Sequence, residues 1–115
     1  MITETKNAVV SVSDTDVIAV QVVIGDGQAG GWAVQVGANV TKGDDSDRHD
    51  VGTGTDVRAA KLVQVSTVVR DVRPETDHLS ATITLLRNGV PAQTILHSRD
   101  GTPGDSAHFT SLFLV

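Results

Sequence analysis

The chain contains no cysteine and no tyrosine, and its 115 residues include one tryptophan, two phenylalanines and three prolines. The missing thiols exclude disulfides, thiolate metal centres and cysteine nucleophiles, and they leave the redox compartment undetermined. Stacking of sugars or bases needs aromatic faces, so at most one platform can exist, around Trp32. No apolar run approaches the roughly 18 residues of a spanning helix. The start Met1-Ile2-Thr3-Glu4-Thr5-Lys6-Asn7 lacks the basic and apolar halves of a secretory leader, so a soluble cytoplasmic protein is the default expectation. Nine Lys and Arg against fourteen Asp and Glu give a net charge of -5. Binding to phosphate backbones requires clustered cations, so nucleic acid is not an expected partner.

What the chain has in quantity is valine, arranged with period two. Leu62-Val63-Gln64-Val65-Ser66-Thr67-Val68-Val69-Arg70 and Leu79-Ser80-Ala81-Thr82-Ile83-Thr84-Leu85 show it most clearly. Neighbouring side chains on a strand point to opposite faces, so these stretches predict half-buried strands. Eight are expected: Ala8–Val12, Val17–Ile24, Trp32–Val36, Asp50–Val57, Lys61–Val72, Leu79–Arg87, Ala92–Ser98 and Ala107–Val115. Ala59, Ala60 and Lys61 offer a competing helical turn. Between strands lie turn residues, notably Asn88-Gly89, which suits a two-residue hairpin loop. The expected fold is an all-β, antiparallel β-sandwich, immunoglobulin-like or jelly-roll-like, of seven to eight strands in one domain.

Gly25-x-Gly27-x-x-Gly30 follows a strand but no helix can start after it, so it reads as a hairpin loop and not a dinucleotide fingerprint. No serine elbow or phosphate-binding loop is present. The expectation is a protein that acts without catalysis, with a small hydrolase on the acidic loops as the weaker enzymatic class. Trp32 is expected in the core with Val34 and Val36, and His49, His78, His97 and His108 are each read as surface or half-buried imidazoles, His97 and His108 facing outward.

Acidic residues concentrate in loops. With eight strands, Ser13–Asp16, Gly37–His49, Arg73–His78 and Arg99–Ser106 would emerge at one end. That places Asp44, Asp45, Asp47, Asp50, Asp77, Asp100 and Asp105 within reach of a shared hard cation such as Ca2+. The segment Asp45-Ser46-Asp47-Arg48-His49-Asp50 resembles the acidic calcium loop of small bacterial β-sandwich lectins, which implies calcium-dependent carbohydrate binding. His49 departs from that loop, and the segment lies mid-chain, not near the C-terminus.

Several strands are apolar on both faces, and the chain closes on Leu112-Phe113-Leu114-Val115 without a polar tail. An uncovered edge of that kind invites pairing with another chain. The leading expectation is an interaction or assembly module that forms a homo-oligomer, or docks a protein partner, through an apolar sheet face or these four residues. The lectin-like reading is the alternative.

Overall fold

Valine-rich alternation produces nine strands here, not seven or eight, with one short helix. The computed structural model describes residues 1–115. In order these are β1 (Ile2–Val9), β2 (Val17–Ile24), β3 (Ala29–Val36), β4 (Asn39–Gly43), β5 (Arg48–Thr53), α1 (Gly54–Ala60), β6 (Leu62–Arg70), β7 (His78–Arg87), β8 (Val90–Asp100) and β9 (Ser106–Leu114). A five-stranded sheet runs β1-β9-β6-β3-β4 and a four-stranded sheet runs β5-β2-β7-β8. Their inner faces share one core, in which Ile18, Val63, Val65, Leu79, Ile83, Leu85, Phe109 and Phe113 are fully buried. Trp32 joins that core, as expected. No helix is long and apolar enough to cross a membrane.

Two expected strands are misplaced. The first begins at Ile2, not Ala8, and it pairs parallel to β9 from Ile2↔Ala107 to Val9↔Leu114. The sandwich is therefore antiparallel except at this pair. Ile2, Glu4, Lys6 and Ala8 share the inward face, and two charged residues among the four conceal the alternation. The expected strand Asp50–Val57 stops at Thr53, where α1 starts. A capping box explains the break: the Thr53 side chain accepts from the Asp56 backbone N–H, and the Asp56 carboxylate accepts from the Thr53 N–H. Lys61 ends the helix in a left-handed conformation, φ 63°.

Within the stretch expected to be a loop, β4 pairs with β3 at the free edge of the larger sheet. Gly30 and Gly31 also lie in a strand and not in a loop; at Gly30 a Cβ would stand 1.9 Å from the Val68 carbonyl oxygen. Asn88 and Gly89 adopt the positive φ values, 54° and 79°, of the expected hairpin turn.

The added strand and helix redistribute the loops. Asp14 and Asp16 lie at the α1 end, where the Asp16 carbonyl accepts from the Gly54 N–H. Asp26 moves to the end that carries His78 and Asp100.

The C-terminal strand is not an edge. β9 lies between β1 and β6, and Phe113 is fully buried. The chain's own N-terminal strand covers the edge that an unpaired β9 would present, which removes the expected edge-to-edge route to association.

Candidate functional site

The seven aspartates do not converge. Asp44, Asp45 and Asp47 wall a cleft of about 370 Å³ floored by Val22 and Ile24. Asp45 is committed elsewhere: its carboxylate meets His49 Nε2 at 2.7 Å and accepts from the Asp47 N–H. Its carbonyl accepts from Trp32 Nε1 at 2.9 Å. The His49 hydrogen bond is the main cause holding the Asp45 carboxyl below its usual range, against desolvation. Asp50 is exposed on β5. Asp77 lines a separate cleft of about 400 Å³ with Asp71, Pro74 and Pro103. A hydrogen bond to Asp71, with desolvation and repulsion behind it, raises the Asp77 carboxyl. Asp100 pairs with His78, and Asp105 lies 3.5 Å from the N-terminal amine. No group of three or more His, Asp or Glu side chains is placed to hold a metal ion. The loops that carry Asp44, Asp45, Asp47, Asp77, Asp100 and Asp105 do share one end, joined there by Asp26, but their carboxylates are spread over separate clefts and partners.

At the loop-bearing end, β7 and β8 assemble a polar row that the linear sequence conceals. Antiparallel pairing sets His78 opposite Asp100 and Ser80 opposite Ser98. His78 Nδ1 stands 2.6 Å from Asp100 Oδ1, and Ser98 Oγ stands 2.7 Å from His78 Nε2. Ser80 Oγ donates to Asp26 at 2.8 Å, which leaves that carboxylate 4.0 Å from Nε2. The Asp100 hydrogen bond raises the His78 imidazole above its ordinary value against partial desolvation, with the charges of Asp26 and Asp100 adding to it. Hairpin register is the signal that could have found this row. Counting outward from Asn88-Gly89 brings the three side chains close, and the bulge at Leu85/Leu86 supplies the last residue of offset.

The same bulge corrects His97. An unbroken register would pair Ile83 with Thr94 and turn His97 to solvent. With one residue inserted, Ile83 pairs with Ile95, and His97 turns into the core with zero exposure. There its ring stacks on Phe109 at 4.6 Å between centroids. Nδ1 meets Glu4 Oε1 at 2.8 Å and Nε2 meets Ser111 Oγ at 2.9 Å. Because a carboxylate only accepts, Nδ1 carries the proton and Nε2 accepts from the Ser111 hydroxyl. Burial is the main cause lowering the His97 imidazole, partly offset by Glu4. His108, by contrast, is outward and half-buried, as expected.

The outer face of the five-stranded sheet has an unusual composition for a chain that is 20% charged. Register places Thr5, Thr110, Ser66, Ala33 and Lys42 in one outward row, and Asn7, Leu112, Gln64, Gln35 and Val40 in the next. Thr3, His108, Val68 and Gly31 form a third. Lys42 on the edge strand and Arg70 at one strand end are the only Lys or Arg facing outward from β1, β9, β6, β3 and β4, and no Asp or Glu joins them. Of the expected interface residues, Leu112 and Leu114 lie on this face, half-buried and exposed. Phe113 points the other way, and Val115 packs beside the core.

No protein-family model matches the chain. No curated protein and no solved structure matches it either.

Proposed function

We propose that the protein is an interaction and assembly module that pairs with a second copy of itself through the outer face of the five-stranded sheet. The observation that carries this reading is the segregation of charge: Asp, Glu, Lys and Arg sit at the ends and edges, leaving Ser66, Ala33, Thr110, Gln64 and Leu112 as a neutral centre. Interface centres are depleted of charge because a buried, unpaired charge loses more hydration than contact returns. Small and β-branched side chains on a sheet face also let two backbones approach closely. A two-fold pairing makes the patch complementary to itself, which suits a surface of uniform, neutral chemistry.

Size-exclusion chromatography with light scattering over a wide concentration range tests this. The wild type should be dimeric, and Ser66→Glu or Ala33→Glu should weaken association by roughly 100-fold, about 3 kcal/mol. Both positions are on the outer surface, so the dichroism spectrum should not change. A wild type that stays monomeric at every concentration overturns the reading. So does a dimer indifferent to both substitutions.

A further inference from the structure

We propose that Ser98, His78 and Asp100 form a nucleophilic site for transfer of short apolar acyl groups from esters, on the sheet opposite the assembly face. This goes beyond the assembly reading and does not depend on it. The geometry is the one that nucleophilic catalysis by serine needs: nucleophile within hydrogen-bond reach of a base, and the base oriented by a third group. Ser98 Oγ is 2.7 Å from His78 Nε2, and His78 Nδ1 is 2.6 Å from Asp100. Asp100 can only accept, so it holds the proton on Nδ1 and leaves the Nε2 lone pair facing the Ser98 hydroxyl.

The surroundings supply an acyl platform. In the row next to Ser80 and Ser98, Val23 and Leu96 flank Thr82 across β2, β7 and β8. Both are exposed, at 41% and 54%. A short alkyl chain lying on them brings an ester carbonyl over Ser98. Gly25, whose N–H donates to the Ser80 carbonyl, presents no side chain to block the approach.

In the first step Ser98 Oγ bonds to the carbonyl carbon while its proton passes to His78 Nε2. The tetrahedral adduct then collapses, the bond to the alcohol oxygen breaks, and the imidazolium proton goes to the leaving alkoxide. Water attacks the acyl-Ser98 ester in the same manner, with Nε2 taking its proton and returning it to Ser98. Asp26, 4.0 Å from Nε2, stabilises the imidazolium formed in each half. Ser98 is exposed, so the oxyanion is solvated by water. The acceleration expected is that of positioned proton transfer, about 10²- to 10⁴-fold over solution.

The test is hydrolysis of p-nitrophenyl acetate and butyrate by the full chain, with the acylated residue located by mass spectrometry. The wild type should give a burst of p-nitrophenolate, acylate Ser98, and turn over faster as the imidazolium loses its proton. Ser98→Ala should abolish burst and adduct. As a positioning residue, Asp100 should respond differently: Asp100→Asn should slow the burst and move the pH inflection downward, which a merely structural contact would not do. All of these positions lie on the outer surface, and the dichroism spectra of the variants should match that of the wild type. An adduct confined to other residues overturns the proposal, as does Ser98→Ala or His78→Gln hydrolysing at the wild-type rate.

Discussion

Glu4 and His97 lie 93 positions apart, yet they share a 2.8 Å hydrogen bond that joins the first strand to the edge of the opposite sheet. Every residue of β1 retains at least intermediate exposure, so β1 has little apolar burial to hold it. It is held by its parallel ladder with β9 and by polar ties across to β8. Lys6 donates to the Leu96 carbonyl, Gln93 donates to the Val9 carbonyl, and Arg99 donates to Glu4.

Replacing His97 by Ala should therefore cost about 3 kcal/mol, because it leaves Ser111 buried without its partner and empties space beside Phe109. Glu4→Gln should cost less than Glu4→Ala, since an amide oxygen still accepts from Nδ1–H. Urea denaturation of the three variants measures the order.

Stability should fall on acidification, beginning near pH 6.5. His97 is lowered in the fold, so the unfolded chain takes up its proton first as pH falls through the ordinary histidine value of about 6.5. Glu4, also lowered, adds a second loss at lower pH as the fold's carboxylate is protonated. Desolvation opposes this lowering, and the hydrogen bonds from His97 and Arg99 drive it. His78 acts in the other direction: raised in the fold, it stabilises below about 6.5 and that contribution is lost as pH rises through its folded value. Thermal melts across this range should show the early acid loss in the wild type and its absence in His97→Phe.

Thr67 is fully buried and its hydroxyl has no hydrogen-bond partner. Thr67→Val keeps the shape and removes the unpaired group, and should stabilise the protein by roughly 1 kcal/mol. A rise in melting temperature of several degrees is expected; an unchanged or lower value would show that the hydroxyl is satisfied.

Thr53→Ala removes the helix N-cap and should cost about 1 kcal/mol. The loss should appear as faster amide exchange in Gly54–Ala60 before any change in the strands.

The strands with a strong inward apolar set were legible from residue order alone. β2, β6, β7 and β9 lie close to their expected positions. Trp32 in the core and the Asn88-Gly89 turn were legible for the same reason, since each depends on local chemistry. Where inward positions are polar, as at Glu4 and Lys6 in β1, alternation carries no signal. The Glu4–His97–Ser111 row was illegible because its members come from three strands, and hairpin register alone brings Ser98, His78 and Asp100 only to within one residue of their pairing.

Residue order by itself determined that the chain is built from strands, because a side-chain period of two is a property of the extended backbone. Which side of β8 faces inward was decided only in the tertiary structure, where one inserted residue at Leu85/Leu86 reverses the strand. Pairing of β1 with β9 likewise decided that the apolar terminus is covered. Alternation specifies that neighbours differ in face, and only contact with the second sheet specifies which face is the inner one.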